Sequence, residues 1–262
     1  MSRRQRFASS ATHVSPERTE VLGVGVDLVT EDDVLRAAAN HLADRAQLRI
    51  VTVNAEYVMI ARRRPDFADV IARADLATPD GMGVVWAMRL RGANQRARVG
   101  GSDLIWSLSR LAASRGESVF LLGAADGVAR EAARRLQAHV PGLVIAGTFA
   151  GSPSAAEAGA IVQRIKRSGA SILYVAFGAP GQDAWLDRHL EATGALIGIG
   201  VGGSFDYVAG RARRAPGWMR ESGLDWLWRL IRQPWRWRRM LALPHFAYLV
   251  LVEGLRKGFV RE

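Results

Sequence analysis

Apolar residues gather in short runs at 21–26, 49–53, 118–122, 143–147, 172–177 and 195–201, each of strand length. Between most of them, apolar positions return every three or four residues, at 31–46, 54–64, 102–115, 127–140, 154–168 and 181–190. That spacing is helical, whereas the short unbroken runs suit buried strands. Pro141-Gly142, Gly151-Ser152-Pro153 and Ala179-Pro180 mark the joins. Strands alternating with helices predict an α/β fold, a parallel sheet with helices on both faces. Ligands on such sheets bind where loops converge at the carboxyl ends of the strands. The candidate chemistry is therefore sought there.

The pattern breaks near Arg211. Five of the eight tryptophans (218, 226, 228, 235 and 237) lie among arginines in the next thirty residues. An apolar stretch at 240–252 follows, interrupted by Pro244 and His245. It is too short to span a bilayer but long enough to lie in its interface. Charge sharpens the division. Residues 211–262 hold twelve Lys/Arg and four Asp/Glu, a net +8, out of +11 for all 262 residues. Such a concentration predicts a polyanionic partner: nucleic acid, anionic lipid or a diphosphate.

Three segments are expected: a disordered polar tail over 1–19, an α/β core over 20–210, and a basic, Trp-rich appendage over 211–262. No run reaches the length of a spanning helix, and the first residues show no signal-peptide core. Cysteine is absent, which excludes disulfides and Cys-based zinc sites. The expected location is the cytoplasm.

Five motifs sit at expected strand ends. In Thr52-Val-Asn54, Asn54 can cap a helix, or the hydroxyl and amide together can hold a sugar. In Pro79-Asp80-Gly81, Asp80 suits a turn, but its carboxylate also suits deprotonation of an attacking hydroxyl. Arg96-Ala-Arg98-Val-Gly100-Gly101 brings basic residues and glycines to a helix start, a setting for phosphate or for simple capping. Gly178-Ala179-Pro180-Gly-Gln182 allows close backbone approach to a ligand, with Gln182 able to donate to a phosphate or a sugar hydroxyl. Gly198-Ile-Gly200-Val-Gly202-Gly203 formally matches a dinucleotide fingerprint, but an Arg-rich segment follows in place of a long helix. No Asp-x-Asp pair ends a strand, and the five histidines lack ligand spacing, so neither metal nor cofactor is expected. Glu31-Asp32-Asp33 opens a helix and offsets its dipole.

Together these pieces resemble the WecG/TagA/CpsF glycosyltransferases, which build teichoic acid linkage units, enterobacterial common antigen and capsular or exopolysaccharide repeats. The resemblance runs from about residue 21 to 239. It rests on Thr52-x-Asn54, Ala74-Asp75 with Asp80-Gly81, and Arg98-Val-x-Gly-x-Asp-Leu. Further on it rests on Gly178-Ala-Pro-x-Gln182 with Trp185, Gly200-Val-Gly-Gly-x-Phe-Asp206, and Arg214-Ala-Pro-x-Trp218 with Leu224-Asp-Trp226. It implies a Rossmann-like core with a helical, membrane-docking appendage, peripheral on the inner face of the bacterial membrane. It further implies an inverting, metal-independent transfer from a UDP-sugar, commonly UDP-N-acetylmannosamine, to a polyprenyl-diphosphate-linked sugar. By that resemblance Asp80 corresponds to the base, with Thr52, Asn54, Arg98 and Gln182 around one pocket. Gly178, Ala179, Pro180, Gly200, Gly202, Gly203 and Asp206 line it, and Arg229, Arg236 and Arg239 close over a diphosphate. Asp183 and Asp225 stand where Glu is usual, which leaves the donor sugar open. Self-association also stays open. Two other readings remain: a basic, non-enzymatic nucleic-acid-binding protein, with Trp among Arg for stacked bases, and a nicotinamide-dependent oxidoreductase resting on the glycines at 198–203. The stretch at 240–252 argues against the first, since nucleic acid has no use for it.

Overall fold

The computed structural model describes residues 16–232, 234, 237 and 241–258. The first apolar run folds as a hairpin rather than a single strand, with β1 (Arg18–Val21) antiparallel to β2 (Val24–Asp27). Its two-residue turn is Leu22-Gly23, both with positive φ, a combination that matches the twist of paired strands. Leu22 is apolar, so the turn leaves no polar mark in the sequence. Arg18 faces Asp27 across the pair, with Nε–Oδ1 at 2.6 Å and Nη2–Oδ2 at 2.8 Å. Asp27 is fully buried and also accepts from the Ala77 amide at 2.7 Å, tying the hairpin to the main sheet. β1 thus begins at Arg18, inside the stretch expected as a disordered tail, whose residues 1–15 lie outside the described residues.

Six parallel strands form the main sheet: β3 (Leu48–Val53), β4 (Leu76–Pro79), β5 (Ser118–Gly123), β6 (Val144–Phe149), β7 (Ile172–Ala176) and β8 (Ile197–Gly200). Their spatial order is β4-β3-β8-β7-β5-β6. All six residues of β3 are buried, as expected of a strand covered on both faces. Its side chains alternate. Leu48 and Ile50 join a cluster with α1 (Glu31–Ala43), α5 (Gly101–Ser114), α6 (Val128–His139) and the short α9 (Ser204–Val208). Val51 and Val53 point the other way, to α2 (Ala55–Ala61), α3 (Pro65–Ala72), α4 (Met82–Leu90) and the hairpin. On the same side as those, α7 (Ala155–Ser168) and α8 (Gly181–Thr193) cover Leu173 and Val175 of β7. The three layers of the α/β expectation are present. Thr30 and Asp33 cap α1 reciprocally, with three acids in its first turn, so that cluster serves the helix.

The glycine pattern at 198–203 has a packing role. A Cβ at Gly198 would sit 2.7 Å from Leu190 Cδ1 and 2.9 Å from Leu186 Cδ2, so this glycine seats α8 against β8. The helix after the pattern has only five residues. That removes the ground for the dinucleotide reading.

After Arg211 come α10 (Gly217–Glu221), α11 (Asp225–Arg232) and α12 (Ala242–Gly258). The apolar stretch at 240–252 is not wholly interfacial, because α12 is amphipathic. It buries Phe246 and Val250 in the cluster built by α2 and α4, while Tyr248 and Leu251 stay exposed. Pro244 falls in its first turn, where a missing N–H costs nothing. Among the described residues no helix is long and apolar enough to cross a membrane.

Candidate active site

The site grows from the register of β3 and β4. Thr52 pairs with Thr78 and Val53 with Pro79, so Asn54 and Asp80 emerge from adjacent strand ends. The Asp80 amide donates to Val53 O at 2.8 Å, fixing the first residue beyond the sheet. Its side chain keeps 28% of its surface exposed and can meet a ligand. Beside it, the strip before α5 runs along the end of β4: Val99 N donates to Pro79 O at 2.7 Å, and Thr78 Oγ1 donates to Val99 O at 2.8 Å. This strip aims Arg98 at two carboxylates. Its guanidinium lies 3.7 Å from Asp80 Oδ1 and donates to Asp103 Oδ2 at 2.8 Å. Asp103, in the first turn of α5, also receives Arg214 Nη2 at 2.7 Å, and the same nitrogen lies 2.9 Å from Ser102 Oγ. The Arg-Ala-Pro motif that opens the appendage therefore attaches next to Asp80.

Gly100 explains why the strip can lie so close. A Cβ there would fall far inside contact distance of Asp80 Oδ1 and 3.0 Å from Arg98 Nη1. Gly100→Ala is expected to fold, because its φ of −108° suits any residue. It should nonetheless displace the Asp80 carboxylate and lower turnover by about tenfold or more, since small misplacements of reacting groups are costly. Steady-state kinetics beside a melting curve checks this; unchanged turnover would mean that Asp80 need not hold this position.

Thr52 is buried, and its hydroxyl lies 3.5 Å from Gly200 O at the end of β8. Asn54 caps α2 by accepting from Tyr57 N at 3.0 Å. Gly178, Ala179 and Pro180 form the partly exposed turn from β7 into α8. Gly203 precedes α9, and Asp206 lies in its first turn, half-buried. Gln182 differs from expectation. It is 2% exposed, and its Oε1 accepts from the amides of Gly178 at 3.1 Å and Gly202 at 3.0 Å. Its Nε2 donates to the Tyr57 hydroxyl at 2.9 Å. In this structure the carboxamide ties loops together and does not face the opening. The side chain of Arg229, and all of Arg236 and Arg239, lie outside the described residues.

Two further side chains meet Gln182: Asp183, which the sequence marks only as a departure from the family pattern, and Tyr57, which it does not mark at all. Tyr57 is buried on α2 and donates to Asp183 Oδ2. Burial pushes the Tyr57 hydroxyl well above its ordinary range, and the Asp183 charge adds to this. Burial also pushes the Asp183 carboxyl up to about 6, against the opposing pull of the Tyr57 hydrogen bond and of Arg49. A spacing of three from Asn54 puts Tyr57 on the next turn of α2, but nothing local shows what its hydroxyl meets.

Thr52, Asn54, Asp80, Arg98, Gly178, Gln182, Gly200 and Gly202 therefore meet at the carboxyl ends of β3, β4, β7 and β8. A carboxylate, an arginine and glycine turns at these strand ends are suited to deprotonating a hydroxyl beside a phosphorylated ligand. The family model described as "Glycosyl transferase WecG/TagA/CpsF family" matches residues 19–259. The protein is similar to a Bacillus subtilis (strain 168) protein named N-acetylglucosaminyldiphosphoundecaprenol N-acetyl-beta-D-mannosaminyltransferase. The identity is 34% over 208 residues, 79% of this chain and 80% of the relative. A Bacillus spizizenii (strain ATCC 23059 / NRRL B-14472 / W23) protein of the same name is 35% identical over 202 residues, 77% of this chain and 78% of the relative. By the family model and these relatives, the chain belongs to the WecG/TagA/CpsF family and is a glycosyltransferase.

Proposed function

We propose that this enzyme transfers N-acetylmannosamine from its UDP derivative to N-acetylglucosamine carried on a polyprenyl diphosphate, with inversion and without a metal ion. The acceptor and the transferred sugar follow the names of the two Bacillus relatives. The observation that carries the reading is Asp80, partly exposed at the end of β4 with Arg98 beside it. In the reaction, Asp80 takes the proton from an acceptor hydroxyl as the oxygen attacks the anomeric carbon. The bond from that carbon to the donor phosphate breaks, and UDP leaves with its electrons. An α-linked donor then gives a β-linked product in one displacement. Arginines of the appendage, Arg229, Arg236 and Arg239 among them, offset the charge that develops on the departing diphosphate.

Metal independence is supported by the surplus of arginine in 211–262 and by a sequence in which no Asp-x-Asp pair ends a strand. Peripheral attachment to an anionic membrane on the cytoplasmic side is supported by the +8 charge of 211–262 and by the exposed Trp218, Trp237, Leu241, Tyr248 and Leu251. Nucleic acid is not needed to account for any of these residues.

The test offers UDP-N-acetylmannosamine, UDP-N-acetylglucosamine and UDP-glucose in turn to a short-chain polyprenyl-diphosphate N-acetylglucosamine, with the product read by mass. Transfer is expected from the first donor and should survive excess EDTA. Preference for another donor would overturn the substrate assignment. Loss on chelation, restored by magnesium or manganese, would overturn the account of the leaving group.

A further inference from the structure

The loops after β7 and β8 are held by a buried chain of hydrogen bonds whose direction matters. Gln182 Oε1 takes two backbone donors, Gly178 N after β7 and Gly202 N after β8. Only an oxygen can meet both, so Nε2 must point the other way, to the Tyr57 hydroxyl. That hydroxyl can accept from Nε2 only if its own proton goes elsewhere, and it goes to Asp183 Oδ2. An ionised carboxylate has no proton to give, so it obliges the tyrosine to be the donor. The tyrosine in turn obliges the amide to keep its oxygen toward the two loops. Tyr57 N is also held by Asn54 Oδ1 at 3.0 Å, so the same residue reaches the end of β3. Gly200 leaves the space: a Cβ there would lie 2.5 Å from Gln182 Nε2 and 2.8 Å from Asp183 Oδ1.

We propose that Tyr57 and Asp183 are positioning residues for glycosyl transfer, fixing the Gln182 carboxamide so that the glycine loops after β7 and β8 are aligned around the reacting groups. They touch no substrate and act through Gln182. The inference rests on the reading that transfer occurs at the carboxyl ends of these strands. A neutral partner at 183 would lose the direction. Protonated Asp183 can donate to Tyr57, and the tyrosine proton can then turn toward the amide. The amide is then free to rotate and present Nε2 to two amide protons, which repels them.

The burial that raises the Asp183 carboxyl to about 6 sets the sign of the pH effect. Above that value the ionised acceptor is present and the loops are aligned; as pH falls through it, the neutral form takes over and transfer declines. The groups facing this carboxyl are Tyr57 from α2, Gln182 from its own helix α8 and Arg49 from β3, while Asp80 acts on the same tyrosine hydroxyl.

The experiment compares full-length wild type with Tyr57→Phe, Asp183→Asn and Asp183→Glu, using UDP-N-acetylmannosamine and the short-chain acceptor from pH 5 to 8. The Tyr57 ring packs beside Phe67 with centroids 5.4 Å apart, a contact that phenylalanine keeps, so melting should move little. At pH 8 Tyr57→Phe and Asp183→Asn should lower kcat about tenfold or more, with KM for the acceptor changed less than threefold. Asp183→Glu, which restores an obligatory acceptor, should recover most of the rate. Wild type should show an acid limb near pH 6 that Asp183→Asn lacks. Full rate in both neutral variants, or an unchanged limb in Asp183→Asn, would overturn the proposal. Should Tyr57→Phe fail to fold, the two Asp183 variants carry the test. No product from wild type with any UDP-sugar would instead refute the proposed function.

Discussion

Asp80→Asn is expected to keep the fold and the affinity for UDP while slowing transfer by about a hundredfold or more. The stability side follows from exposure. Asp80 sits beyond the end of β4 with over a quarter of its side chain open, and its backbone tie to Val53 O is untouched by the change. The catalytic side follows from chemistry. Asparagine occupies the same volume and can accept a hydrogen bond from the acceptor hydroxyl, but it cannot take the proton. Arg98 would lose a 3.7 Å charge contact and keep its 2.8 Å bond to Asp103, so its position should hold. Calorimetry with UDP should therefore look ordinary while product formation collapses. Near-normal turnover would remove Asp80 from the mechanism and send the search for a base elsewhere in the site.

Truncation before Arg211 is expected to abolish measurable transfer and binding to anionic liposomes, at a cost in stability as well. The cost arises because the appendage is partly structural. Phe246 and Val250 are buried against α2 and α4, so deleting them uncovers those helices, and loss of a buried side chain as large as Phe246 alone typically costs on the order of 3–5 kcal/mol. Arg214 would also leave Asp103 and Ser102. A cleaner separation comes from Arg229→Glu, Arg236→Glu and Arg239→Glu together, which takes the charge of 211–262 from +8 to +2. At roughly 1 kcal/mol per basic residue near an anionic surface, liposome binding should largely vanish. Transfer to a soluble, short-chain acceptor should fall as well, because these groups are assigned to the diphosphate. Full activity on that acceptor would make the appendage an anchor with no share in the chemistry. Of the tryptophans, Trp218 is 64% exposed, which suits an interfacial ring, whereas Trp228 donates to Arg213 O and helps hold the appendage together.

Much of the sheet was legible because parallel strands covered on both faces are unbroken apolar text. The runs at 49–53, 118–122 and 172–177 mark β3, β5 and β7 to within a residue at each end. The hairpin was not legible, since Leu22 carries its turn. Of the candidate residues, Asp80 was singled out by its Pro-Asp-Gly turn and Arg98 by the glycines that follow it at a helix start. Gln182 was singled out on grounds other than those the structure gives. A carboxamide near a glycine turn reads as a ligand donor, and only the tertiary fold shows Gly178, Gly202 and Tyr57 consuming both its ends. Arg49 is similar: inside an apolar run it reads as a strand's first residue, yet it is buried, 2.9 Å from Asp187 on α8. The Gln182–Tyr57 and Arg49–Asp187 pairings join residues more than a hundred positions apart, beyond the reach of local pattern.

The appendage is pinned at both ends, by Arg214 on the first turn of α5 and by Phe246 on α2 and α4. The described part between them, with Trp218, Trp226 and Trp228, is thus held to the body at two fixed points. On the proposed attachment through this part, the body would rest on the anionic surface along one line and could roll about it and in little else. Asp80, close to the Arg214 end, would then sit at a near-constant height above the headgroups, whatever the length of the acceptor's buried chain.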